Sequence, residues 1–198
     1  MPLTVACSDY DTNYIEIHPD TLRYCFGSVA VTGDNNYIKI GRSTLGHELR
    51  ISLHGGARVC IGDDCVLNGL EIVSFAECRI TIGDGVGFNG LSRMHAHESG
   101  NITVGSGSLI ADGCNFSTSH VHKIIDLNSG ERINPPGDIV LEDRVWCAKM
   151  VSFWPRSHVG RECIVGSNTV ISNKSFPANC VIAGSPPRIV RDGVTWQP

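Results

Sequence analysis

One short motif recurs along the chain and sets what it can fold into. An Ile-Gly or Val-Gly pair appears at Ile40-Gly41, Ile61-Gly62, Ile82-Gly83, Val104-Gly105, Val159-Gly160 and Val165-Gly166. The first three intervals are 21, 21 and 22 residues, Leu141 sits 18 residues before Val159, and the last two pairs are six apart. Eighteen is three sixes, so the longer spacings read as three hexapeptides with a small bulge. In each hexapeptide a short strand turns one aliphatic side chain inward. A glycine or small polar residue then lets the chain turn. Three such strands close a triangular coil, and stacked coils bury a column of Ile, Val and Leu. No helix-period pattern of comparable strength runs between Tyr37 and Ile182.

Composition agrees with a thin core and many turns: 22 glycines and only 7% aromatic residues in 198. That length suits one domain. Charged residues make up 18%, the net charge is −4, and no basic run points to nucleic acid. The start, MPLTVACSDYDTNY, lacks the charged and apolar regions of a secretory signal, and no apolar stretch reaches the roughly 20 residues of a membrane span. These features lead us to expect a cytoplasmic protein without a transmembrane segment. The nine cysteines include no CxxC pair. We read them as reduced packing residues, with Cys60, Cys65, Cys78 and Cys163 at places fit for a small apolar side chain.

Three segments flank or interrupt the rhythm. Residues 1–36 read as a strand-rich N-terminal cap, 37–182 as the repeat domain, and 183–198 as a C-terminal tail. Within the domain, residues 117–138 (STSHVHKIIDLNSGERINPPGD) form a polar excursion with two prolines. Long loops on a rigid scaffold carry function more often than their length alone suggests. This one holds His120 and His122. A neutral imidazole, with an unperturbed pKa of about 6.5, suits proton abstraction from a hydroxyl. A solvated loop histidine is the bland alternative.

The hexapeptide rhythm, together with HKIIDLNSGERINPPGDIVLEDRVW, resembles the hexapeptide-repeat acyltransferases and, within them, the bacterial polysaccharide O-acetyltransferases. The matching residues are His122, Ile124, Asp126, Gly130, Glu131, Arg132, Ile133, Asn134, Pro135, Val145 and Trp146. The resemblance implies an all-β fold, a left-handed parallel β-helix, against the usual right-handed crossover. It implies a homotrimer with sites between subunits, His122 as catalytic base and Trp146 beside the acyl donor. The donor would be acetyl-coenzyme A, the acceptor a hydroxyl of a surface-glycan sugar, and no metal would be required. Asp126, four residues after His122, fits either of two roles: holding the imidazole tautomer or capping a turn.

The ending IVGSNTVISNKSFPANCVIAGSPPRIVRDGVTW also resembles the family's. There it implies coenzyme A binding through Gly166, Ser167, Ala183, Gly184 and Pro186. Lys174, Arg188 and Arg191 are candidates for the nucleotide phosphates. Two positions depart from the pattern. His120 stands where an acidic residue is usual, which makes it a candidate acceptor contact. Cys147-Ala148-Lys149 replaces Ile-Gly-Ala, so Ala148 is expected to narrow the backbone approach to the pantetheine, and Lys149 fits either of two places, facing a coenzyme A phosphate or sitting in solvent.

Rival readings use the same residues. An N-acetyltransferase of a nucleotide-linked amino sugar would share scaffold and base. A zinc-dependent, carbonic anhydrase-like β-helix would use His95, His97 and His122, since residues two apart on a strand face one way. A non-catalytic scaffold would need neither His122 nor Trp146.

Overall fold

The computed structural model describes residues 2–198, with residues 43–45 described by backbone path only. Met1, the first residue of the cap segment, lies outside the described residues. The chain winds into a parallel β-solenoid with three strand faces per coil. One face is an eight-stranded sheet built from Tyr14–Ile17, Tyr37–Ile40, Ala57–Ile61, Cys78–Ile82, Ile102–Val104, Ile139–Leu141, Ser157–Val159 and Lys174–Phe176. The other two faces share a thirteen-stranded sheet. There the long strands Ser43–Leu53, Cys65–Ser74 and Gly87–Ala96 bend across both faces, while later coils use separate short strands.

All the Ile/Val-Gly pairs but Val165-Gly166, which lies in the other sheet, end strands of the first face. Ile40, Ile61, Ile82, Val104, Leu141, Val159 and Phe176 stand in one register column, and all are buried. A second column, Ile38, Val59, Ile80, Ile102 and Ile139, runs beside it at 0% exposure. Each such side chain contributes about 1.5–3 kcal/mol by leaving water, before entropy is counted.

The glycines after this column do not serve the purpose expected of them, since none has a positive φ. They are required because the next coil presses on them. A Cβ on Gly83 would lie 2.6 Å from the amide nitrogen of Ser106, and one on Gly105 would fall against the Glu142–Asp143 peptide. The close approach serves a hydrogen-bond ladder along the corner. Arg42 N–H donates to Asp63 Oδ1, Asp63 N–H to Asp84 Oδ1, Asp84 N–H to Ser106 Oγ, and Ser106 N–H to Asp143 Oδ1. The left-handed backbone state falls further along the corner, at Asp64, Gly85, Gly107, Arg144 and Glu162.

Residues 2–36 run in the same sheets: Thr4–Cys7 pairs with Cys25–Val31, and Tyr14–Ile17 with Tyr37–Ile40. A short helix, Pro19–Tyr24, turns a corner and buries Thr21, whose hydroxyl donates to Gly41 O. At the other end, Arg188–Asp192 pairs antiparallel with Cys180–Ala183 and stops the stacking. The last residues then return along the outside of the coils. Val194 N–H donates to Asn179 O, and Trp196 Nε1–H donates to Arg144 O.

Cys65, Cys78 and Cys163 are buried and free. Burial pushes the Cys65 and Cys114 thiols up to about 11 and raises Cys147 well above the ordinary thiol value, so they serve as apolar filler. Cys60 departs from the expected placement. It is only partly buried, because alternation along Ala57–Ile61 turns it outward between Val59 and Ile61.

Candidate active site

The excursion leaves the solenoid at one corner, between the strands Asn115–Ser117 and Ile139–Leu141. Its neck closes where Gly137 N–H donates to Thr118 O. Above the neck it folds as a hairpin. Ile133 N–H donates to Ile124 O, Asp126 N–H to Glu131 O, and Gly130 N–H to Asp126 O. The Asp126 carboxylate accepts from Ser129 N–H, Asn128 N–H and the Ser129 hydroxyl, which hold its pKa below the ordinary aspartate value. Of the two roles open to Asp126, the structure shows the turn cap. Its side chain makes no contact with His122.

His122 is exposed on the first arm of this hairpin, and among the described residues nothing lies within hydrogen-bond distance of its ring. Its backbone, by contrast, is held on both sides. His122 N–H donates to His120 O at 2.6 Å, and His122 O accepts from Asn134 Nδ2 at 2.9 Å.

Below the hairpin base, on the adjoining strand face, lies a cleft of ≈ 330 Å³. Phe116 and Phe153 form its floor, stacked at 4.8 Å. Coil arithmetic explains its walls. Residues one coil apart stand side by side, so Asn115 lies between Arg93 and Ser152, and His95 neighbours Ser117. His95 Nε2 lies 3.2 Å from Glu71 Oε1, which also faces Arg93 Nε at 3.5 Å. His97 meets His95 edge-on at 5.5 Å, and burial, then the neighbouring His95, lowers its pKa. His120 stacks on Trp154 at 4.6 Å, so it shares the cleft lining. Among the described residues, no group of three or more His, Cys, Asp or Glu side chains is arranged to hold a metal ion.

The other predicted residues gather elsewhere. Trp146 projects from a strand on the face opposite the excursion's corner, pairing with Leu109 and Ile164, and is 37% exposed. Next to it a column of small residues climbs the coils. Ala148 N–H donates to Val165 O and Gly166 N–H to Ile182 O, which brings Ala148, Gly166 and Ala183 into line. Ser167 and Gly184 lie just beyond, Gly184 N–H donating to Thr169 Oγ1, and Lys149 is exposed at the same corner. Lys174 Nζ donates to Pro187 O, and Arg188 is exposed on the closing antiparallel strand. The structure thus brings the proposed donor residues together, and separately the acceptor histidines. It does not bring Trp146 to His122 within one chain.

Sequence reasoning missed several residues here. Glu98 forms a fork with Arg132, at 2.8 and 2.7 Å, and accepts a short hydrogen bond from the Ser119 hydroxyl. Arg132 and then Ser119 hold the Glu98 carboxyl down to about 2. This attachment therefore acts in full above the usual glutamate value near 4.5, and is lost progressively as pH falls from there towards 2. Near Trp146, the tail places Trp196 at 6.1 Å, over Arg144, which in turn pairs with Glu162 at 2.6 Å. Only the coil period could have signalled such pairs, since their members lie 34 and 52 residues apart.

The stacked hexapeptide coils, interrupted by the excursion, define a left-handed parallel β-helix. No family model matches the chain. The sequence is similar to a putative lipopolysaccharide biosynthesis O-acetyl transferase, WbbJ, of Escherichia coli K12, 33% identical over 132 residues. That match covers 62% of this chain and 65% of the relative, just under two thirds of the relative's own length. The whole chain superposes on the crystal structure of the polysialic acid O-acetyltransferase OatWY, with a TM-score of 0.63, 25% identity and 92% of that chain covered. It also superposes on the polysialic acid-specific acetyltransferase NeuO, with a TM-score of 0.79 over 85% of that chain; at 22% identity this likeness shows the fold. The resemblance to hexapeptide-repeat O-acetyltransferases therefore holds in sequence relatives as well as in architecture.

Proposed function

We propose that this protein is an acetyl-coenzyme A-dependent O-acetyltransferase that acts on a hydroxyl of a bacterial surface-glycan sugar, as a homotrimer in the cytoplasm. One observation carries the reading. A hairpin pinned at its neck carries the exposed His122 directly after His120 and Val121, which line a cleft of imidazoles, hydroxyls and an indole. Similarity to relatives named as O-acetyltransferases of lipopolysaccharide and polysialic acid supports the choice of chemistry.

The acceptor sugar enters the cleft, where the Trp154 and Phe153 rings offer apolar surface and Ser117, His95 and Asn115 offer hydrogen bonds. The acetyl-coenzyme A arm lies along the Ala148, Gly166 and Ala183 column, whose small side chains leave room for a thin chain, with Trp146 at its end. His122 accepts the acceptor hydroxyl proton as that oxygen attacks the thioester carbonyl. The tetrahedral intermediate then collapses, the carbon–sulfur bond breaks, and the imidazolium returns its proton to the departing thiolate. No covalent enzyme intermediate is required, because the thioester is already activated.

Trp146 and His122 occupy opposite sides of one solenoid, so each site takes His122 from one subunit and Trp146 from the next. Homotrimeric packing around a threefold axis builds three such sites. Among the described residues no helix is long and apolar enough to cross a membrane.

The test is thiol release from acetyl-coenzyme A against a panel of surface glycans, free sugars and nucleotide-linked amino sugars. We expect acceptor-dependent release with a hydroxyl acceptor and ester formation. Amide formation with an amino sugar would select the N-acetyltransferase reading instead, and no release with any acceptor would remove acyl transfer.

A further inference from the structure

The excursion must hold His122 to within a fraction of an ångström if it is to work as a base. Its backbone route makes this demanding. Val121 has φ 62°, a left-handed state that β-branched residues avoid. With the bond from His122 N–H to His120 O, it forms a tight γ-turn of the rarer, strained kind. Something outside the turn has to impose it.

Two chains of contacts converge on one carboxylate. On the first stem, Ser119 is 1% exposed, and its oxygen accepts from Val121 N–H at 2.8 Å while its hydroxyl proton goes to Glu98. On the second stem, Arg132 forks onto both Glu98 oxygens. The Arg132 Nε–H also reaches Asn134 Oδ1 at 3.4 Å. Asn134 then clasps the first arm across the hairpin, its Oδ1 accepting from Ile124 N–H at 2.6 Å and its Nδ2 donating to His122 O. Glu98 itself belongs to the rigid coil below, two residues after the strand Gly87–Ala96 ends, and Thr118 Oγ1 donates to its carbonyl.

We infer that Glu98 is the positioning residue for His122, fixing both stems of the excursion to the solenoid so that the strained turn at Val121 holds the imidazole in place. The inference rests on His122 being the base. Glu98 stays ionised throughout the range in which a histidine base operates, so the strap holds wherever the enzyme works. Neutral glutamine keeps the shape but loses the charge-assisted fork, which is the stronger kind of hydrogen bond.

A double-mutant cycle tests this with Glu98→Gln, His122→Ala and the double variant. Acetyl transfer is followed by thiol release, and thermal midpoints are recorded for each protein. The inference expects Glu98→Gln to lower kcat by about 10- to 100-fold, the loss that small misplacements produce, with KM for acetyl-coenzyme A nearly unchanged. In the His122→Ala background the same substitution is expected to cost nothing more, because there is no base left to position. Arg132→Gln should repeat the effect, and Arg132→Lys should recover only part, since an ammonium cannot make the fork. Full kcat in Glu98→Gln, alongside an inactive His122→Ala, would overturn this inference and leave the base reading standing. Losses that add in the double variant would overturn it too, by showing that Glu98 acts elsewhere. Full activity in His122→Ala would remove the base reading, and this role for Glu98 with it.

Discussion

Replacing His122 with alanine lowers acetyl transfer by about 10²–10⁴-fold, the usual worth of a positioned general base, while leaving the fold intact. The fold is insensitive because the ring is exposed and has no hydrogen-bond partner among the described residues; the contacts that shape the hairpin here come from the His122 backbone, which alanine retains. The rate is sensitive because a hydroxyl is a weak nucleophile until its proton leaves, and an exposed imidazole is suited to take it. The loss is expected in kcat, with KM for acetyl-coenzyme A little altered, since the donor arm is held by the Ala148, Gly166 and Ala183 column and not by His122. Steady-state thiol release with a productive acceptor measures both. Undiminished kcat would transfer the role to a histidine inside the cleft. His95, already backed by Glu71 at 3.2 Å, would then be the first to examine.

The largest stability effect is expected at Phe116. It is 1% exposed and stacks on Phe153, also 1% exposed, in the next coil. Phe116→Ala should cost about 3–5 kcal/mol through lost burial and the cavity left behind. A stacked aromatic pair adds about 0.5–1.5 kcal/mol beyond its area. In a solenoid each coil is stabilised by its neighbours, so a hole at this level loosens the coils that carry the excursion. The same two rings floor the cleft, so acceptor KM should rise as stability falls. Denaturant unfolding of wild type, Phe116→Ala and Phe116→Leu checks this, with leucine expected to recover part of the loss. A cost below about 1 kcal/mol would mean that the two rings do not share a packed column.

What the sequence shows and hides follows from the period. The Ile/Val-Gly spacing located the core column from Ile40 to Val159, because each coil places the same residue inward. Why the glycines are there was not legible, since it depends on backbone and side-chain atoms of the next coil filling the space a Cβ would take. The excursion stood out at 117–138 because it breaks the rhythm. The partners that hold it did not, because Glu98 meets Arg132 only after the chain has completed a coil and doubled back. Asp126 was compatible with two roles, and the nearby Asn128 and Ser129 amides decided between them. Trp146 and His122 were both picked out by the resemblance, but only the coil geometry puts them on opposite sides of one chain.

That separation is the centre of the account, and mixed trimers test it most directly. His122→Ala and Trp146→Ala chains, carrying different affinity tags, would be co-expressed, and assemblies holding both isolated by two successive purifications. If each site draws His122 from one subunit and Trp146 from its neighbour, every mixed trimer contains one site with both residues intact. Acetyl transfer should then return well above that of either parent variant. Mixed assemblies no more active than the parents would contradict the account, because they would place both residues in the service of a single chain.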